Sequence, residues 1–80
     1  MSNDIEQRLK KIFSVIFDVP EQSVDEFFSM ESSENWDSMN QLNLVLSIEE
    51  EFGIYFSDTE VPTLISFKAV KDTVLSKISS

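Results

Sequence analysis

Apolar residues recur along this chain at helical rather than strand spacing. Ile5, Leu9, Ile12, Phe13, Ile16 and Phe17 follow the i, i+4, i+7, i+8 recurrence of a helix with one buried face. Asn3, with Glu6 three residues later, suits the start of that helix. Val19-Pro20 suits its end, because the residue before a proline is pushed out of helical geometry. A second patterned segment runs from Ser38 to Phe52 and closes on Gly53. Glycine fits the left-handed position just past a helix, and Ile54 offers the apolar contact that accompanies such caps. Ser57-Asp58-Thr59-Glu60 has capping-box spacing and predicts a short helix despite Pro62. Ser66 suits the cap of a last helix whose Phe67, Val70, Val74, Leu75 and Ile78 share one face. The pattern predicts an all-α fold, a small, irregular four-helix bundle of three longer helices and one short one.

Between the first two helices lies a long connection, Glu21 to Asp37, with scattered anchors at Val24, Phe27, Phe28, Met30 and Trp36. A connection of that length in a compact domain is often functional.

The second helix has two apolar stripes. At about 100° per residue from Met39, residues Leu44, Val45, Ile48 and Phe52 fall between roughly 140° and 240°. Met39, Leu42 and Leu46 fall between roughly 300° and 360°. One stripe is enough to pack the helix on one side of a bundle. The other, flanked by Glu49 and Glu50, is either a second buried face or a strip to be read by partner proteins.

Composition narrows the chemistry. Eighty residues make one domain, residues 1–80, with a limited core and a net stability of about 3–5 kcal/mol. Cysteine and histidine are both absent, which removes disulfides, thiolate metal sites and the commonest general base. Unaided acid–base or nucleophilic catalysis is therefore not expected, and no catalytic residue is assigned. Asp18, Glu21, Asp25 and Glu26 cluster, but their spacing matches no calcium loop, so they read as a solvated surface and not a metal site.

Fifteen acids against six bases give a formal charge of −9. No Lys or Arg occurs from Ile12 to Phe67, a stretch with twelve Asp and Glu. That middle should repel nucleic acid and anionic lipid and attract basic protein surfaces, and self-repulsion favours a monomer. No apolar run approaches the roughly 20 residues of a membrane span. The N-terminal Met1-Ser2-Asn3-Asp4 lacks the basic and apolar regions of a signal peptide, so a cytoplasmic location is expected.

Asp37-Ser38-Met39 stands where the acidic connection enters the second helix. A hydroxyl there sits at the positive end of the helix dipole, where a phosphate is electrostatically welcome. Around it are Trp36, Asp37, Met39 and Asn40, none able to take its proton as His or Lys would. Ser38 therefore reads as a substrate, phosphorylated or phosphopantetheinylated by another enzyme, or else as a plain cap in a box with Gln41, beside an Asp37 that is itself a good cap.

The stretch Asn35-Trp36-Asp37-Ser38-Met39-Asn40-Gln41-Leu42-Asn43-Leu44-Val45-Leu46, continuing to Glu49-Glu50-Glu51-Phe52-Gly53-Ile54, resembles the acyl carrier proteins. Their signature is Asp-Ser-Leu opening the second helix and Glu-Glu-Phe closing it, and the likeness extends over the whole chain. The resemblance implies a covalent 4′-phosphopantetheine on Ser38, delivered from coenzyme A by a magnesium-dependent phosphopantetheinyl transferase. The terminal thiol would hold acyl or aminoacyl groups as thioesters. Asp37 would help the transferase dock. Met39, Leu42 and Leu46, with Glu49 and Glu50 as an acidic rim, would face loading ligases or synthases and acceptor enzymes with basic docking patches.

Departures from the family pattern modify this picture. Met39 stands for the usual Leu, a change that conserves volume. Asn40 and Asn43 occupy positions often acidic in fatty-acid carriers. Trp36 replaces a small residue and would restrict the arm or act as a contact. Seven Phe suggest a bulky interior with little room for a long acyl chain. These features favour a carrier for a specialised biosynthetic pathway over a housekeeping fatty-acid carrier. An unmodified acidic helical domain that binds proteins is the alternative of a different class.

Overall fold

The computed structural model describes residues 2–79 except Ser32 and Glu34, with the side chains of Ser2, Asn3 and Ser79 also outside the description. Helix α1 spans Ser2–Phe17, α2 spans Ser38–Phe52 and α3 spans Phe67–Ser79. Two three-residue 3-10 turns, Glu21–Ser23 and Val61–Thr63, sit in the connections. No strand forms among the described residues; Ser29 and Ser66 make an isolated antiparallel bridge.

Each long helix buries the face its periodicity marks. Leu9, Phe13 and Phe17 of α1 meet Leu44, Val45 and Ile48 of α2 and Phe67, Val70 and Val74 of α3. Removing such side chains from water is the main force holding a domain this small together. Ile78 is exposed, so the buried face of α3 ends before its last turn.

Chain connections complete the core. Phe13 packs its ring near Phe17, Phe28, Trp36 and Phe67, with centroids 5.6, 5.8, 5.5 and 5.1 Å away. The last three meet it nearly edge-on, the geometry that aromatic quadrupoles favour. Val24 and Trp36 are buried anchors of the long connection and Phe28 is a half-buried one. Phe27 and Met30 are not anchors. Both are exposed: Phe27 because its neighbour Phe28 takes the place in the aromatic cluster, and Met30 because it lies on an open surface groove.

Expected boundaries shift in three places. Asn3 lies inside α1 and does not precede it; its side chain is outside the described residues, while Glu6 pairs with Lys71 of α3 at 3.2 Å. The end of α1 comes at Phe17, where Asp18 takes a left-handed conformation (φ 55°) before Pro20 is reached. The capping box at Ser57 forms reciprocally: Ser57 N–H donates to Glu60 Oε1 at 2.8 Å and Glu60 N–H to Ser57 Oγ at 3.3 Å. It opens only a turn and the Val61–Thr63 3-10 segment, so the short fourth helix is a single turn. Leu64 leaves helical geometry at once (φ −85°, ψ 68°) so that the chain can reach Ser66, whose hydroxyl caps α3 by accepting from Ala69 N–H at 3.1 Å.

Candidate functional site

Helix α2 begins where its sequence says it should. Asp37 is the cap: extended, with its side chain accepting from Asn40 N–H at 2.9 Å. Ser38 is therefore the first helical residue. It is exposed, and its hydroxyl makes no hydrogen bond among the described residues. A box between Ser38 and Gln41 does not form, since Asp37 performs the capping and Gln41 is engaged elsewhere.

Gln41 ties three segments together. Its Oε1 accepts from the Trp36 indole N–H, and its Nε2 donates to the carbonyls of Val61 at 3.0 Å and Leu64 at 3.2 Å. An indole N–H can only donate, so the amide oxygen must face Trp36 and the NH2 must face the carbonyls. Trp36 itself is 4% exposed. It is a core residue, neither a surface contact nor an obstacle in front of Ser38.

The connection before Ser38 is fastened by amides. Asn35 Nδ2 donates to Phe17 O at 3.0 Å, satisfying a carbonyl left over at the end of α1. Asn40 Nδ2 donates to Asn35 O at 2.6 Å. A carboxylate at position 40 could not make that bond, which gives this asparagine a local reason.

Beside Ser38 lies an open groove of about 310 Å³, lined by Met30, Ser38, Gln41, Leu42, Val61, Pro62 and Ile65. Backbone bonds hold its Met30–Ile65 wall: Met30 N–H donates to Ile65 O at 3.0 Å, and Phe67 N–H to Phe28 O at 2.8 Å. Sequence periodicity missed Met30 and Ile65, because both belong to irregular segments paired across the fold.

The two stripes of α2 separate cleanly. Ile48 is fully buried, whereas Met39, Leu42 and Leu46 are 73%, 60% and 59% exposed. The second stripe is thus a surface strip that shares the first turn of α2 with Ser38. At its far end a groove of about 390 Å³ is lined by Leu46, Glu49, Glu50, Gly53 and Tyr55. Glu50 is exposed, but Glu49 is half-buried and accepts from Phe56 N–H at 2.9 Å, so one of its oxygens secures the turn after the helix. Tyr55, 82% exposed, extends this region and carries no periodic signal in the sequence. Among the described residues no cluster of carboxylates is arranged to hold a metal ion.

An acyl carrier protein of Buchnera aphidicola subsp. Baizongia pistaciae is 30% identical over 71 residues, which cover 89% of this chain and 91% of the relative. The chain belongs to the acyl carrier protein family. An acyl carrier protein of Buchnera aphidicola subsp. Schizaphis graminum is 29% identical over 75 residues, 94% of this chain and 95% of that one. The solution structure of a holo acyl carrier protein from Geobacter metallireducens superposes with a TM-score of 0.82 at 27% identity, covering 92% of this chain and 85% of that chain. A structure of the acyl carrier protein from Enterococcus faecalis gives 0.79, also at 27% identity, over 96% and 98% of the two chains. No family model matches. As an acyl carrier protein, the chain is a carrier and not an enzyme. The family normally bears 4′-phosphopantetheine and works with transferases and synthases. No described helix of this acyl carrier protein is long and apolar enough to cross a membrane.

Proposed function

We propose that Ser38 bears 4′-phosphopantetheine and that the chain delivers acyl or aminoacyl groups to enzymes of a specialised biosynthetic pathway in the cytoplasm. The observation behind this reading is the exposed Ser38 hydroxyl, left without a hydrogen bond among the described residues because Asp37 caps α2 in its place. The residues fit the group: the oxygen opens to solvent at a helix N-terminus that favours a phosphodiester, and an apolar groove begins beside it. When bound, the arm would supply the thiol that a chain without cysteine lacks, as the point of attachment for cargo.

Asp37, Met39, Leu42, Leu46, Glu49 and Glu50 form the surface we assign to the transferase, the loading ligase or synthase and the acceptor enzymes. Exposed apolar side chains beside Glu50 suit partner patches that pair Arg or Lys with hydrophobic pockets. Asn40 leaves this face less negative than that of many fatty-acid carriers, which supports a specialised set of partners. The packed aromatic cluster behind the groove supports short or polar cargo held outside the bundle.

The test is an intact mass after incubation with coenzyme A, magnesium and a broad-specificity phosphopantetheinyl transferase. A gain of one phosphopantetheinyl group that vanishes in Ser38→Ala is expected. Folded protein that gains nothing would overturn the reading in favour of an unmodified protein-binding domain.

A further inference from the structure

We propose that Gln41 is the specificity-determining residue that keeps apolar cargo in the outer groove, by clasping the Val61–Thr63 turn against α2. The inference rests on the carrier reading of Ser38 and deepens it.

Two observations meet at this side chain. First, Gln41 lines the groove that starts at Ser38, together with Leu42, Val61 and Ile65. A chain attached at residue 38 therefore meets it early. Second, its amide donates both hydrogens to carbonyls at the two ends of the 3-10 segment, Val61 O and Leu64 O. Leu64 N–H donates to Val61 O at 3.1 Å, so the clasped segment is closed on itself. Trp36 fixes the amide from the opposite side.

Beyond the clasp lies a core without polar partners. Leu44, Ile48, Leu64 and Val74 are all fully buried. A cargo chain can reach them between α2 and the turn only if the turn separates from the helix. That separation leaves Leu64 O and the Gln41 NH2 without partners, and Val61 O with only the Leu64 N–H, beside an incoming apolar chain that can offer none in return. The groove outside requires no such loss. Its walls, Met30, Leu42, Pro62 and Ile65, are exposed and apolar, suited to a short chain. Residue 41 thus decides between the two locations.

Because the chain contains no cysteine, a Ser38→Cys variant can be labelled at one place only. Its thiolate attacks the sulfenyl sulfur of butyl, octyl or dodecyl methanethiosulfonate, forms a mixed disulfide and releases methanesulfinate. Methyl NMR shifts and melting temperature are then read with Gln41 intact and in Gln41→Glu and Gln41→Ala backgrounds. Glutamate keeps the size and the acceptor for Trp36 but loses both donors.

With Gln41 intact, shifts are expected at Leu42, Val61 and Ile65, none at Leu44, Leu64 or Val74, and no rise in melting temperature from butyl to dodecyl. Both variants should show octyl-dependent shifts at the three core residues and a melting temperature that climbs with chain length. Core shifts with Gln41 intact, or none in the variants, would overturn the proposal. Loss of the fold in both variants would overturn it too, since the amide would then be a strut of the bundle. The label needs neither coenzyme A nor transferase, so the outcome is independent of whether Ser38 accepts phosphopantetheine.

Discussion

Asp37 caps the helix that Ser38 begins: its carboxylate accepts from Asn40 N–H at 2.9 Å, and the serine hydroxyl takes no part. The two neighbours therefore separate stability from chemistry. Asp37→Ala should cost about 1 kcal/mol, the usual loss for a missing N-cap. Ser38→Ala should stay within about 0.5 kcal/mol of the parent, as expected at an exposed position whose hydroxyl has no hydrogen bond among the described residues. Urea unfolding of the apo proteins checks both, and a larger loss at Ser38 would mean that its hydroxyl helps to hold the helix.

Trp36→Phe keeps an aromatic ring in the core but leaves Gln41 Oε1 without its donor. We expect a loss of about 1–3 kcal/mol, read as a lower denaturant midpoint with an unchanged slope. A neutral result would show that water replaces the indole.

Gly53 ends α2 at φ 65°, and a Cβ built there would meet nothing within 4 Å. Any penalty for Gly53→Ala is therefore conformational and not steric, about 1 kcal/mol. Gly53→Asn should lose less, since asparagine tolerates the left-handed region. Thermal melts of the two variants should rank in that order.

Glu60 should titrate below the ordinary carboxylate range, held there first by its hydrogen bond to Lys77 and then by the Ser57 N–H. The Lys77 ammonium lies 2.8 Å from its Oε1. A carboxyl with a depressed folded pKa stabilises above its unfolded value, and that stabilisation fades as pH falls through the lowered one. Glu60→Gln should thus melt below the parent at neutral pH, with the gap closing in acid. Added salt should narrow it as well, because the pair is partly solvated.

What the chain's pattern revealed depended on whether local periodicity governed the residue. Both edges of α2 were readable, since Asp37 and Gly53 act on their own helix. So were its two stripes, which differ only in angle around one axis. Gln41 was harder. A glutamine three residues into a helix looks like half of a capping box, and only the folded chain brings Trp36, Val61 and Leu64 to its amide. Phe27 and Phe28 show the same limit: adjacent and identical, one points to solvent and the other into the aromatic cluster. Nothing local distinguishes them. The shortening of the fourth helix to the Val61–Thr63 3-10 turn has a similar origin, because the chain must reach Ser66, which caps α3, within a few residues.

The outward strip of α2 has a metric consequence. Leu46 stands eight residues along the same unbroken helix from Ser38, about 12 Å at the usual rise. Under the proposed function, an enzyme that grips the distal leucine would find the Ser38 oxygen at one invariant offset, whichever reaction it performs. The helix would then act as a ruler, and catalysts of unrelated architecture would need to share only that spacing between their grip and their tunnel mouth.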